Sequence, residues 1–317
     1  MKLVTVVILI LLGSGLVSAC VHSTIYTNNA EKRWPPIGET VAVNGVDVHV
    51  IEAGETGPAV LMIHGASANA REFTHSLAPL LSSDHRVLMA DRPGHGYSDR
   101  PEDAEELGVQ ASQMAGVLTA LAPGEKAVIV GHSFGGAVAL RLALDYPELV
   151  DGLVLLAPVT HDWGGGGEAW YNKAAGPPVV GALFSQLAPV VGPQQAKGGI
   201  DSVFDPAEPT ENYYEKAGLG LLFRPPHFRA NADDMNALRE ELAAQQDSYP
   251  SIGVPVILFS GAKDTVINPA LHAGKIKHQI EDFTLVPLSD TGHMPHHSHG
   301  ADVADAIRRL SRDDQSS

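Results

Sequence analysis

Short apolar runs alternate with longer stretches of helix-forming residues along most of the chain. Runs of four to six apolar residues are typical of strands buried on both faces of a sheet. The predicted strands are residues 59–63, 87–90, 127–130, 153–156, 255–260 and 283–286. The predicted helices between them are residues 72–81, 105–121, 137–144, 269–278 and 301–312. This alternation predicts an α/β fold, with a mostly parallel sheet covered by helices on both faces.

The alternation has a distinct beginning and one interruption. Two strand-like runs, 41–43 and 48–52, flank Asn44-Gly45, which is a strong hairpin pattern. Residues 159–250 contain helical stretches and proline pairs but no buried-strand run. We therefore predict a core of residues 37–158 and 251–317, interrupted by a helical cap of residues 159–250. The cap should lie above the carboxyl edge of the sheet, where open α/β sheets bind ligands.

The first twenty residues have the pattern of an export signal. Lys2 precedes an apolar segment, residues 3–12, and small residues lead to Cys20, the single cysteine. Residues 17–20, Val-Ser-Ala-Cys, resemble the lipobox of bacterial lipoproteins. This resemblance implies a signal peptide of residues 1–19, a lipid anchor on Cys20 and a polar tether of residues 20–36 in the bacterial cell envelope. An ordinary cleaved signal and an uncleaved anchor are the alternatives.

Composition narrows the range of partners. The 317 residues carry a net charge of −16, and no Lys/Arg cluster stands out. Nucleic-acid binding requires a basic face, so we exclude it. A single cysteine permits no internal disulfide. Neither composition nor charge indicates the oligomeric state.

A serine lies inside a very short strand-to-helix connection. Gly131-His132-Ser133-Phe134-Gly135 is the whole link between the strand at 127–130 and the following helix. Such a turn needs flanking residues without a Cβ, and it raises the serine hydroxyl above the sheet next to free helix N–H groups. An incidental Ser in an ordinary Gly-rich turn is the alternative.

Two further loops supply what a nucleophilic serine needs. A serine hydroxyl requires a base within hydrogen-bond reach, and the base requires a carboxylate that fixes its tautomer. Asp264 follows the strand at 255–260 by four residues, and His293 lies in the loop after the strand at 283–286. Because parallel strands end at one edge of the sheet, we expect these loops to meet at Ser133.

Together these motifs resemble the α/β-hydrolase superfamily, in its branch with a cap domain. His64-Gly65-Ala66 resembles the family's oxyanion loop, and residues 91–98, Asp-Arg-Pro-Gly-His-Gly-Tyr-Ser, resemble the loop after the next strand. The resemblance covers roughly residues 37–312. It implies that Ser133 is the nucleophile, His293 the general base and Asp264 its orienting acid.

The same resemblance implies an oxyanion hole made by the backbone N–H groups of Ala66 and Phe134, with Ser67 as an alternative to Ala66.

Family members that open epoxides or remove halides have Asp where this chain has Ser133. The expected reaction is hydrolysis of a carboxylic ester or related acyl bond in a small-molecule substrate, without a cofactor. A lactonase, thioesterase, amidase, carbon–carbon bond hydrolase or perhydrolase uses the same triad. A binding protein with a degenerate site is a further alternative.

Several residues offer competing roles. Asp162 follows the strand at 153–156 and could supply the acid instead of Asp264. Asp290 is predicted to form a turn, and His132 to be a packed spectator. The aromatic side chains Trp163, Trp170 and Tyr171, together with His64, are candidates for substrate contact.

Apart from His293, which already has a role, two other groups are expected to be structural. The tract of residues 293–299, His-Met-Pro-His-His-Ser-His, suggests a metal, but no carboxylate–His set is evident elsewhere to complete a site, and we predict none. Asp91, Arg92 and His95 should shape the edge of the sheet near the site without reacting.

Overall fold

The computed structural model describes residues 2–166 and 169–312. The described residues form one sheet of eight strands. Each strand that the sequence predicted lies close to its predicted position. The strands are β1 (Glu39–Val43), β2 (Val46–Ala53), β3 (Ala59–Ile63), β4 (Arg86–Ala90), β5 (Ala127–His132), β6 (Val150–Leu156), β7 (Val256–Gly261) and β8 (Phe283–Leu288). The turn between β1 and β2 has positive φ at both Asn44 and Gly45, as the Asn-Gly pair requires.

The strands lie in the order β1-β2-β4-β3-β5-β6-β7-β8. The pairs β1·β2 and β2·β4 are antiparallel, and every other pair is parallel. The predicted α/β fold with a mostly parallel sheet, of the kind the α/β-hydrolase resemblance implies, is therefore confirmed, and the sheet has eight strands. All residues of β3 and β5 are buried, which explains their unbroken apolar runs.

Helices cover both faces of the sheet and precede, interrupt and follow its strands. They are α1 (Lys2–Arg33), α2 (Ala78–Leu81), α3 (Leu107–Leu121), α4 (Phe134–Asp145), α5 (Trp170–Ala175), α6 (Pro178–Ser185), α7 (Ala188–Phe204), α8 (Tyr213–Lys216), α9 (Pro225–Gln245), α10 (His272–Ile276), α11 (Pro295–Ser298) and α12 (Gly300–Arg312). One buried cluster joins α3, α4 and α10 to one face of the sheet. A second joins α2 and α12 to the other face.

The prediction of one continuous helix over residues 72–81 is wrong. The segment is a 3₁₀ turn, Ala70–Phe73, followed after four residues by the short α2. Pro79 explains the break, because proline lacks the N–H of a helix interior and clashes with the preceding turn. Here it occupies the first turn of α2, where neither problem arises.

Residues 20–33, for which we expected a tether, belong to α1, and this helix packs on the helical segment between β6 and β7. The Tyr26 hydroxyl donates to the carbonyl of Gly220 at 3.0 Å, and Arg33 forms a bidentate pair with Glu215. Trp34 is buried beside Tyr214 and Leu221.

Among the described residues, no helix combines the length and apolar character of a membrane span.

Helices α5 to α9 fill the interval between β6 and β7, and they contact the carboxyl ends of β3 and β4. Asn231 on α9 accepts from the backbone N–H of Ser67, and Asp234 pairs with Arg92 at 2.7 Å. We call helices α5 to α9 and their connections the insertion. Its position over this edge brings it next to the loops after β3 and β4 and, through the bond from the His293 N–H to the Val203 carbonyl, next to the loop of His293.

Candidate active site

The strand-to-helix turn holds Ser133 in a strained conformation. Its φ is 52° and its ψ is −115°, outside the regions that side-chain-bearing residues normally occupy. A Cβ on Gly131 would lie 2.5 Å from the carbonyl oxygen of Gly135, and one on Gly135 would lie 2.1 Å from that of Ile63. Both glycines are therefore required by the close approach of β5, α4 and β3.

Hydrogen bonds fix the backbone of Ser133 on both sides. Its N–H donates to the carbonyl of Leu156, and its carbonyl accepts from Val159. Phe134 is the first residue of α4, so its N–H is among the four that lack an acceptor within the helix. The turn thus presents a partly exposed hydroxyl beside the positive end of a helix dipole.

The loop after β3 lies directly against this turn. A Cβ on Gly65 would be 3.1 Å from Cβ of Ser133. The N–H of Ser67 is already bound, since it donates to Oδ1 of Asn231 at 2.6 Å. Of the two alternatives for an oxyanion donor in this loop, Ala66 is therefore the one that fits.

His293 and Asp264 form a hydrogen-bonded pair. Nδ1 of His293 lies 2.8 Å from Oδ2 of Asp264, and the two side chains are 5% and 1% exposed. The other carboxylate oxygen accepts the N–H groups of Val266 and Ile267. These bonds orient the carboxylate, and the carboxylate in turn favours the imidazole tautomer with its proton on Nδ1, leaving Nε2 as a base.

His132 links the serine turn to the histidine loop. Its Nε2 donates to the carbonyl of His293 at 2.9 Å, and the two rings lie 5.0 Å apart. Burial, reinforced by the neighbouring imidazoles of His296 and His293, holds the pKa of His132 well below its usual range. The side chain is thus a neutral, buried clamp between the residues flanking the site, in agreement with its interpretation as a spectator.

Arg92 connects the site to the insertion. Its guanidinium is fully buried, donates to Asp234 at 2.7 Å and to the carbonyl of His64 at 3.1 Å, and lies 4.1 Å from the centre of the Phe134 ring. One side chain therefore contacts the oxyanion loop, the first residue of α4 and α9. The roles expected for this loop are structural, and the contacts agree with that expectation.

The expectation that His64 contacts substrate is wrong. The side chain has no exposed surface, its Nδ1 bonds to the carbonyl of Gly65, and its Nε2 accepts from the N–H of Arg92. Burial lowers the pKa of His64 to about 4. Its neutral ring braces the turn between β3 and the oxyanion loop and leaves no atom for a ligand.

Sequence reasoning missed the role of Glu72. Its Oε1 lies 3.0 Å from Nε2 of His296 and 2.7 Å from Nε2 of His297, and its Oε2 accepts from the Tyr213 hydroxyl at 2.5 Å. The statement that no carboxylate completes the histidine tract is therefore wrong. Only the exceptional burial of a Glu in the loop after β3 distinguishes this residue, and the sequence does not reveal burial.

The Glu72 carboxylate accepts hydrogen bonds from three side chains, those of His296, His297 and Tyr213. In a tetrahedral zinc site with bonds of about 2.0–2.1 Å, neighbouring ligand atoms would lie about 3.3 Å apart. The distances of 2.7 and 3.0 Å are shorter and fit hydrogen bonds. The cluster joins the oxyanion loop to the histidine loop and, through Tyr213, to the insertion.

The remaining candidates come from the segment after β6 and from α5. Oδ1 of Asp162 accepts from Gly164, and the same atom is 3.8 Å from Arg239. Trp163 donates to the carbonyl of Gly166 and packs against the core. Trp170 is 72% exposed and Tyr171 42%, and their contact with substrate stays a prediction.

Comparison with known proteins agrees with this architecture. The profile of the alpha/beta hydrolase family matches residues 60–306. A 2-hydroxy-6-oxo-6-phenylhexa-2,4-dienoate hydrolase from Burkholderia cepacia is 28% identical over 274 residues, which is 84% of this chain and 90% of the relative.

Two solved structures share the fold. The enol-lactonase from Burkholderia xenovorans LB400 superposes with a TM-score of 0.67 at 19% identity, over 86% of this chain and 99% of that one. A membrane phospholipase A, described as a bacterial virulence factor, gives 0.70 at 22% identity and covers all of both chains. Sheet order, serine turn and family profile lead to one conclusion: this chain belongs to the alpha/beta hydrolase family.

Proposed function

We propose that the protein is a serine hydrolase that cleaves a carboxylic ester or a related acyl bond. The observation that carries the proposal is the 2.8 Å bond between His293 and Asp264, in the loop that His132 clamps to the serine turn. Acyl transfer to a serine requires an oriented imidazole of this kind within reach of the hydroxyl, and His132 joins the loop of His293 to the turn of Ser133.

In this mechanism Oγ of Ser133 attacks the acyl carbon while Nε2 of His293 takes its proton. The negative charge that develops on the carbonyl oxygen is stabilised by the N–H groups of Phe134 and Ala66. His293 then protonates the leaving group, and an acyl-enzyme remains on Ser133. Water, deprotonated by His293, releases the acid, while Asp264 stabilises the imidazolium in both halves of the reaction.

Replacement of Ser133 by Ala tests the assignment. The variant should lose turnover of a short p-nitrophenyl ester and labelling by a fluorophosphonate, because only an activated serine reacts with that probe. An unchanged thermal transition would show that the fold is intact. Retained hydrolysis in the variant, or an unlabelled native protein, would reject the assignment and favour a binding role.

Carbon–carbon bond hydrolysis is the second candidate, because the dienoate hydrolase aligns over most of its length with this chain. The same three residues would serve this reaction, so the triad cannot discriminate. A screen of esters, lactones, thioesters, amides and a vinylogous 1,5-diketone compares the reactions directly. Preference for the diketone by kcat/KM would replace the ester assignment.

We also propose that the protein is exported and carries a lipid on Cys20. The cysteine is exposed in the structure. In this case, labelled palmitate should be incorporated and globomycin should block processing in a bacterial host. A Cys20→Ser variant that still incorporates the label would overturn this assignment.

A further inference from the structure

Helices α6 and α7 expose an unusual number of large apolar side chains. Val179 and Val180 are 73% and 65% exposed, and Leu183, Leu187 and Val191 are each about half exposed. Trp170 extends the surface through its edge contact with the Phe184 ring. Single exposed apolar side chains are ordinary, but a contiguous group on neighbouring helices indicates an interaction site.

The helix α1 also exposes apolar side chains. Its exposed apolar residues Val17, Val21 and Ile25 are spaced by four, so they form one stripe along the helix. The hydroxyl of Ser23 lies 2.5 Å from Oε1 of Gln186, which sits between Leu183 and Leu187 in sequence. Ser23 is buried, so this contact packs α1 beside α7 and leaves the stripe on the opposite, exposed side of α1. We call the exposed side chains of α6, α7 and this stripe together the apolar face.

The apolar face lies in a part of the chain without charge. Residues 3–30 and 174–196 contain no Asp, Glu, Lys or Arg, although the chain as a whole has a net charge of −16. A surface that lacks both charges and their hydration loses little on entering a lipid interface. An acidic protein that met the membrane with any other face would also bring its charge against acidic lipids.

Continuity with the amino-terminal segment identifies the occupant. The apolar residues 3–12 belong to the same helix as the stripe, and the exposed Cys20 lies one turn from Ser23, whose hydroxyl is 3.0 Å from the Cys20 carbonyl. An apolar segment or an acyl chain at either position would enter a bilayer at this end of α1. A second copy of the chain would explain the exposed side chains but not this continuity.

We propose that the apolar face docks on a lipid bilayer and holds the insertion against the membrane surface. The anchor alone would leave the domain free to move above the membrane. Docking through α6 and α7 would give it one orientation and place the insertion, which covers the candidate active site, at the lipid interface. Acyl substrates dissolved in the bilayer would then be nearest to the site, a consequence that rests on the proposed function.

A fluorescent label tests docking without any need for catalysis. The full chain carrying Cys20→Ser and Leu187→Cys is labelled with an environment-sensitive dye and reconstituted in phosphatidylcholine vesicles. We expect a blue-shifted emission that is quenched by spin labels on the lipid acyl chains. The matched control is Lys126→Cys, at an exposed position before β5 at the opposite edge of the sheet, which should show neither effect.

Three outcomes would overturn the proposal. Failure of the chain to float with vesicles would remove the membrane as partner. Because the labelled chain lacks Cys20, flotation with a label at 187 that stays in water would show that the apolar segment 3–12 holds the chain without docking of the apolar face. A blue shift without quenching by lipid would assign the face to a second copy of the chain.

A second experiment connects docking to activity. Val180→Glu together with Leu187→Glu should reduce hydrolysis of a vesicle-borne ester by about tenfold, because two charges must enter the interface. Hydrolysis of a soluble p-nitrophenyl ester should stay unchanged. The control Leu80→Glu, an exposed leucine on α2, should alter neither rate. Equal loss on both esters would point to a damaged site instead of lost docking.

Discussion

At the scale of single residues, the site depends on which atoms of each side chain are already bonded. Both nitrogens of His64 are used by the backbone, whereas Nδ1 of His293 is the ring atom that bonds to Asp264. Histidines that are equivalent in sequence therefore have different capacities for chemistry. Asp264 and Asp162 differ in the same way, since Oδ2 of Asp264 bonds to His293, whereas Oδ1 of Asp162 bonds to Gly164 and lies 3.8 Å from Arg239.

This difference predicts the effect of removing one charge. Asp264→Asn should lower kcat for an ester by roughly 10³–10⁴-fold, because an amide favours the wrong imidazole tautomer. Asp162→Asn is the matched control and should stay within a factor of about two, as a surface substitution remote from such features. Steady-state kinetics on both variants decides the matter. If the Asp162 variant were the impaired one, the acid would have to be reassigned.

The candidate triad residues could be selected from the sequence because each follows a strand with a clear apolar run. Ser133, Asp264 and His293 were found in this way. Glu72 could not be found, since its partners lie 224 and 225 residues away and only burial reveals the set. The Arg92–Asp234 pair, 142 residues apart, escaped for the same reason.

At the scale of elements, one buried ion pair holds α9 over the sheet. Asp234 bonds to Arg92 at 2.7 Å and to Arg100 at 2.9 Å, and its side chain has no exposed surface. The helix also inserts Leu238 and Leu242 into the core. Apolar packing sets the depth of α9, and the ion pair sets its position above the loop after β4.

Removal of Asp234 should therefore be costly. Asp234→Ala leaves a buried guanidinium without its carboxylate, and loss of about 3–5 kcal/mol in the free energy of unfolding is expected. The neighbouring Asp233→Ala is the control. Asp233 is partly exposed and 3.7 Å from Arg229, so its loss should change stability by less than about 1 kcal/mol. Urea denaturation measures both, and equal midpoints for the two variants would contradict the assignment.

Element boundaries show where sequence patterns stop being sufficient. The ends of strands buried on both faces were predicted within a few residues, because a short continuous apolar run is stable only where both sides of the strand are covered. The helix at residues 72–81 failed at Pro79. The expected tether at residues 20–36 failed because its helix finds a partner in the insertion, a tertiary contact that local polarity does not indicate.

At the scale of the whole molecule, buried neutral histidines connect the fold to pH. Burial lowers the pKa of His64 and of His272 to about 4, and that of His227 to about 3. Unfolding exposes these rings to water, where the pKa returns to about 6.5. Between these values the unfolded chain binds more protons than the folded one, so folding stability rises with pH.

This linkage gives the sign and window of a stability profile. The contribution of the three histidines is complete above pH 6.5 and is lost as the pH falls toward 4. At pH 5 each ring accounts for a loss of about 2 kcal/mol relative to pH 7.5, as an upper value for a group that stays buried. Urea midpoints of the Ser133→Ala variant, measured from pH 7.5 to 5, should fall steadily. This variant is chosen because it lacks the reactive hydroxyl. A midpoint that is constant or rises on acidification would mean that the buried rings are already protonated in the native protein.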